Sequence, residues 1–224
     1  MAVTRALDTK YRIAETAMQL FLDQGYESVT VEAVADASEV SRRTVFRYYA
    51  GKDELPFPDH SERVALVERH LAAAGPDADP VEAVIAATEA SMHDFLSRPE
   101  LVLQRYQLTR IVPELRDREV VEHERYVAVT RGYLRERLPA TAGPYESMAL
   151  AALIDATHRS ALGNWTRSGG QTDAVAELEA GMDWIRALLS GAAAPESLLV
   201  AVLPDSARTR RSLSALRDRA SETL

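Results

Sequence analysis

The chain has 224 residues, of which 46 % are apolar and 27 % charged, a balance that supports one or two globular domains with a real core. It contains no cysteine, which excludes disulfide staples, a thiol nucleophile and Cys-based zinc sites, and suits a reducing, cytoplasmic setting. The formal net charge is −8, yet Ser41 to Lys52 carries Arg42, Arg43, Arg47 and Lys52 without one acid. For a polyanionic partner the placement of charge matters more than its sum. No apolar stretch approaches the ~18 residues of a membrane span, and Met1 to Lys10 lacks the apolar core of a secretory leader, so no membrane partner is expected.

Thirty-six alanines bias the backbone toward helix, and nearly every segment reads that way. From Thr9 to Gln24 the apolar residues Ile13, Ala17, Leu20 and Phe21 recur at three and four, the mark of an amphipathic helix. Gly25 stops it, and Tyr26 can fold back on its last turn. Thr30 is a good N-cap for a short helix over Val31 to Ala37. Ser38, Glu39 and Val40 form a tight turn, and Ser41 caps a third helix that reaches about Tyr49 before Gly51. Two short helices joined by a three-residue turn, behind a longer one, form a helix-turn-helix unit.

Pro56 and Pro58 interrupt the chain, and Asp59 opens a helix that fades before Gly75-Pro76. Asp79-Pro80 is an N-cap followed by proline at the first helical position, starting a helix to about Ser97 with Val84, Ala87, Ser91 and Phe95 on one face. Further helices are expected from Pro99 to about Thr109, Pro113 to near Leu138, Tyr145 to Arg167 and Asp173 to Ser190. The expected architecture is all-α: residues 1–55 as a helix-turn-helix domain, 56–190 as a second helical domain, and 191–224 as a linker and mobile tail.

On a helical wheel Val45 and Tyr49 join Val34, Val40 and Phe21 as core. Arg42, Arg43, Phe46 and Arg47 point elsewhere, flanked by Thr44 and Tyr48. An exposed helix face rich in arginine and aromatics suits the major groove, where guanidinium forks pair with guanine and an aromatic edge meets the thymine methyl. Thr44, Tyr48 and Lys52 are suited to phosphates. Thr30 and Lys52 sit at helix starts, where free N–H groups favour an anion.

The run from Thr30 to Ala35, then Val40-Ser41-Arg42-Arg43-Thr44-Val45-Phe46-Arg47-Tyr48-Tyr49 and Gly51-Lys52-Asp53-Glu54-Leu55, resembles the DNA-binding domain of TetR-family transcriptional regulators. The resemblance implies a homodimer, most simply a repressor, that binds a palindromic operator and is released by a small ligand in the C-terminal domain. It also implies base contacts from Arg42, Arg43 and Phe46, and phosphate contacts from Thr30, Thr44, Tyr48 and Lys52, with Arg47 able to do either. One departure is Glu39, where the family's turn usually has glycine; a left-handed turn there costs roughly 1 kcal/mol more than with Gly.

In the second half, Ala149, Ala152, Leu153, Ala156, Ser160 and Ala161, then Val175, Leu178, Ile185 and Leu188, form stripes suited to a four-helix dimer interface. A core within one subunit would use the same stripes. Pocket candidates are polar or aromatic residues on apolar faces: His93, Phe95, Arg105, Tyr106, His158 and Trp165. Pro56 to His60, Leu108 to Leu115 and Ala161 to Trp165 resemble the branch containing the mycofactocin regulator, which implies an acyl-CoA-like effector in a long apolar pocket with a cationic mouth.

An enzyme is not expected. His93-Asp94 and His123-Glu124 are sequence neighbours, about 100° apart on a helix, and make no dyad. Glu122 and Arg125 read as surface partners at helical spacing. Metal-binding His-x-x-x-His, a Gly-rich phosphate loop and a Gly-x-Ser-x-Gly elbow are all missing, and no cofactor or metal is expected. An architectural DNA-binding protein with a filled second domain would present the same N-terminal face.

Overall fold

The computed structural model describes residues 2–139, 141, 143 and 145–190, with side chains from Leu7 onward. The linker and tail expected over 191–224, Pro144 and the Arg5 side chain lie outside the described residues. Contacts divide the chain into two compact units, Met1–Arg186 and Ala187–Leu224. Both cores and the site belong to the first.

The described residues form helices α1 (Ala2–Gln24), α2 (Val31–Ala37), α3 (Arg42–Tyr48), α4 (His60–Ala73), α5 (Pro80–Leu96), α6 (Pro99–Ile111), α7 (Pro113–Arg137), α8 (Glu146–Arg167) and α9 (Ala174–Leu189), with a 3₁₀ turn at Lys52–Glu54. No strand occurs among them. The fold is all-α, with an N-terminal helix-turn-helix and a helical C-terminal part. α1 begins well before Thr9, because nothing in residues 2–8 breaks a helix. Gly25 ends it at φ 85°, donating its N–H to Phe21 O at 3.1 Å, and Tyr26 packs edge-on against Phe21. At α5, Asp79 Oδ1 accepts the N–H groups of Val81 and Glu82 at 2.8 and 3.0 Å, with Pro80 at the first helical position.

Two hydrophobic clusters result. The first joins Ile13, Ala17, Met18 and Phe21 of α1 with Val34 and Ala35 of α2, Val45 of α3, and Tyr49, Leu55 and Phe57; Leu101 and Leu108 of α6 and Leu115 of α7 complete it. Val40 packs against its edge. The second joins Val67 and Leu71 of α4, Val84, Ile85 and Met92 of α5, Val102 of α6, Leu134 of α7, Ile154, Ala161 and Trp165 of α8, and Leu178, Met182 and Ile185 of α9.

The stripe of small residues on α8 divides. Ala161 is buried, Ala152 and Leu153 are half-buried, and Ala149, Ala156 and Ser160 are exposed. Glu122 corrects the expectation of a surface pair with Arg125. Its residue is only 2 % exposed, and its carboxylate bridges Arg125 and Arg118 at 3.0 and 2.9 Å. Helical spacing gave the partner but not the face, because the adjoining segment that covers Glu122 comes from more than sixty residues earlier, around His60.

Candidate nucleic-acid interface and the buried polar cluster behind it

α3 is short, so its pose depends on its caps and its apolar back. Ser41 Oγ accepts the Thr44 N–H at 3.1 Å and shares a 2.9 Å hydrogen bond with the Thr44 hydroxyl. Thr30 does the same for α2, accepting the Ala33 N–H at 3.1 Å. These side chains satisfy amides that the first helical turn leaves free. Val45 and Tyr49 are buried, and the Tyr49 hydroxyl donates to Lys10 O of α1 at 2.7 Å. Burial pushes the Tyr49 phenol above its ordinary range, so it stays a donor. Across the turn, Glu39 is held at φ 53°, the left-handed conformation that glycine adopts more readily.

With the back fixed, the front faces solvent. Arg42, Arg43, Phe46 and Arg47 are exposed, Phe46 at 43 %. Arg42 Nε meets Glu32 Oε1 at 2.9 Å, and its guanidinium lies 5.2 Å from the Phe46 ring. Arg47 stacks over Tyr48 and donates to its hydroxyl at 3.0 Å. Among the described residues Arg43 has no ion-pair or hydrogen-bond partner, so its fork is free. Lys52 sits at the 3₁₀ turn, its ammonium 4.2 Å from the Tyr26 ring centroid. The front thus offers several cations and an exposed ring, while Thr30, Thr44 and Tyr48 supply hydroxyls beside them.

Behind this unit lies a buried polar cluster that sequence reasoning missed. Asp59 is the N-cap residue of α4, but its side chain makes no cap. It turns inward between Arg105 Nη1 at 2.9 Å and Arg63 Nη2 at 2.5 Å. Burial alone would raise its pKa, yet the two guanidinium groups overcome that and hold the carboxyl far below the usual range. Arg63 is 2 % exposed, also pairs with Asp94 at 2.9 Å, and lies face-on to Phe95, 3.3 Å from the ring centroid. Its Nη1 has no hydrogen-bond partner, and neither do His158 Nε2 and the Tyr133 hydroxyl. The signal was present: Asp59, Arg63, Val67 and Leu71 are four apart, so the apolar stripe of α4, extended backward, lands on an ion pair.

The six pocket candidates separate. Phe95, Arg105 and His158 converge on Arg63, with Phe95 5.7 Å from the His158 ring and 5.8 Å from the Arg105 guanidinium. Burial pushes His158 down to about 4, against the opposing pull of Asp155. His93 is exposed. Tyr106 faces outward under Arg110, accepting its Nη1 at 3.1 Å. Trp165 is buried beside Gly170 and lines a surface pocket with Leu96, Pro99 and Gln171.

This geometry is that of a helix-turn-helix reader attached to a helical bundle. Residues 13–56 match the family model for bacterial regulatory proteins of the tetR family, and that segment is a DNA-binding domain of the tetR type. A 64-residue stretch is 38 % identical to a protein of Mycobacterium tuberculosis described as a mycofactocin biosynthesis transcriptional regulator, MftR, covering 29 % of this chain and 32 % of that one. Another of 65 residues is 45 % identical to the HTH-type transcriptional regulator TcmR of Streptomyces glaucescens, covering 29 % and 27 %. The matched segment thus spans about a third of the length of these relatives or less; both are transcriptional regulators, not enzymes. The fold as a whole is similar to FadR of Thermus thermophilus, a TetR-family transcriptional repressor solved with lauroyl-CoA (TM-score 0.53, 22 % identity, 88 % of this chain and 98 % of that one). It is also similar to the fatty acid degradation regulator FadR of Bacillus halodurans (TM-score 0.59, 17 % identity, 82 % and 95 %). No described helix is long and apolar enough to cross a membrane.

Proposed function

We propose that the chain is a transcriptional repressor that binds a palindromic operator as a homodimer and is released by a small, acyl-CoA-like effector. The observation that carries this reading is the two-faced α3, with Val45 locked in the core and Arg42, Arg43 and Phe46 exposed. In this reading residues 1–55 read DNA. Arg42, Arg43 and Phe46 meet base edges, while Thr30, Thr44, Arg47, Tyr48 and Lys52 hold phosphates. Two readers must stand ~34–36 Å apart to enter successive major grooves, and the exposed small residues of α8 are the surface through which two copies would associate.

Residues 56–190 would take the effector. Buried polar atoms without partners are costly, and three of them, Arg63 Nη1, His158 Nε2 and the Tyr133 hydroxyl, lie within the bundle. They are suited to the polar end of an effector whose tail lies among apolar side chains, and the lauroyl-CoA held by the Thermus neighbour supports that chemical class. Release then requires that the effector bind better to the state that does not fit DNA, and that DNA weaken effector binding by the same factor.

The test is selection of duplexes from a random pool, followed by titration of the selected and of random sequences. Arg43→Ala should lose roughly 1–3 kcal/mol on the selected duplex and much less on random DNA, whereas Lys52→Ala should weaken both and flatten the salt slope by about one. Equal losses on both for Arg43→Ala would remove its base-reading role. Mass spectrometry of small molecules that co-purify with the native protein tests the effector class.

A further inference from the structure

The 3₁₀ turn after the reading helix is tied to α7 by one side chain. Arg118, half-buried, places Nη1 3.3 Å from Asp53 Oδ2 and Nη2 2.9 Å from both Glu54 Oε1 and Glu122 Oε1. The other oxygen of Glu54 accepts the N–H of Ala50 at 2.7 Å, the amide just past the C-cap of α3. At the far end, Glu122 is itself buried and its second oxygen is held by Arg125 at 3.0 Å. An unbroken chain of charge-assisted hydrogen bonds therefore runs from α7 through Arg118 and Glu54 to the backbone where the reading helix ends.

We propose that Arg118 is a positioning residue for DNA reading, a strut through which α7 sets the exit angle of α3. The inference rests on the DNA-binding reading above. Two features make the strut effective. The planar fork engages three carboxylates on two elements, which a single ammonium would not span. It also neutralises Asp53 and Glu54, the two acids next to Lys52, at the edge where phosphate would approach. A shift of α7 would move Glu54 and loosen the Ala50 amide, giving the second half of the chain a physical handle on the reader without any change at Arg42 or Arg43.

The experiment uses the full chain and two readouts. Arg118→Gln should raise the hydrogen-exchange rate of the Ala50 amide while leaving Val34 of α2 unchanged. It should also weaken binding to a duplex selected by the native protein by roughly 3- to 30-fold, with random DNA changed far less. Arg118→Lys keeps the charge and should still show both defects; native behaviour of that variant would overturn the proposal. Glu54→Gln should give losses that do not add to those of Arg118→Gln, and additive losses would overturn it as well. Should Arg118→Gln fail to fold, Arg118→Lys and Glu54→Gln supply the same readouts. If the native chain selects no duplex, the DNA reading itself fails, whereas Ala50 exchange still decides whether the strut exists.

Discussion

Gly181 of α9 faces Thr157 of α8 so closely that a methyl group at Gly181 would overlap the Thr157 Cγ2. The threonine cannot easily give way, because its side chain is branched at Cβ and its hydroxyl donates to Leu153 O at 3.0 Å. In an unobstructed helix, replacing glycine by alanine gains roughly 1 kcal/mol. Here Gly181→Ala should cost about 1–3 kcal/mol by overpacking, measured by urea unfolding. Thr157→Ala in the same chain should abolish that cost. A Gly181→Ala protein as stable as the native one would show that α8 and α9 are not held in this close register.

Glu39 occupies a left-handed turn between α2 and α3 at φ 53°. Glu39→Gly relieves that strain and should stabilise the protein by about 1 kcal/mol, less whatever glycine adds to the entropy of the unfolded chain. Removal of the carboxylate from the reader's turn should also strengthen binding to all duplexes at low salt. Thermal unfolding and salt-dependent titration check the two effects separately, and a lowered melting temperature would contradict the first.

His158 is held neutral, at about 4, chiefly because it is buried. An exposed histidine in the unfolded chain titrates near 6.5, so on acidification the unfolded state takes up the proton first. Stability is therefore complete above about pH 6.5 and falls as the pH drops toward 4, by about 2 kcal/mol between pH 7 and pH 5. His60, also lowered by burial and then by Arg105, adds to this slope in the same direction. Asp59, held low by its arginines against the effect of burial, acts only in more acid solution. Urea midpoints at the two pH values should converge in His158→Gln relative to the native chain; an unaltered slope would sink the assignment.

Much of the reader was legible in the sequence because its signals are local. Thr30 and Ser41 cap helices one turn away, the Val45–Tyr49 spacing fixes the buried side, and the arginines fall on what remains. The helix starts at Pro80, Pro99 and Pro113 were legible for the same reason. The buried polar cluster depends on distant encounters: Asp59 meets Arg105 46 residues on, and Arg118 meets Glu54 from 64 residues away. Local periodicity says that Glu122 and Arg125 are neighbours but not that His60 covers one of them. Arg105 shows the same limit. A cation on an apolar face invited a ligand, but its Nη1 already holds Asp59 and lies 3.4 Å from Pro56 O.

The first hydrophobic cluster is closed by Leu101, Leu108 and Leu115, residues that come about half a chain after the helices they cover. Transplanting residues 1–55 onto another regulator's body would leave the floor of α1 bare unless the new host supplied matching side chains. A chimaera that keeps α6 and the start of α7 with their own N-terminal helices should therefore yield soluble protein where a junction at Leu55 would not.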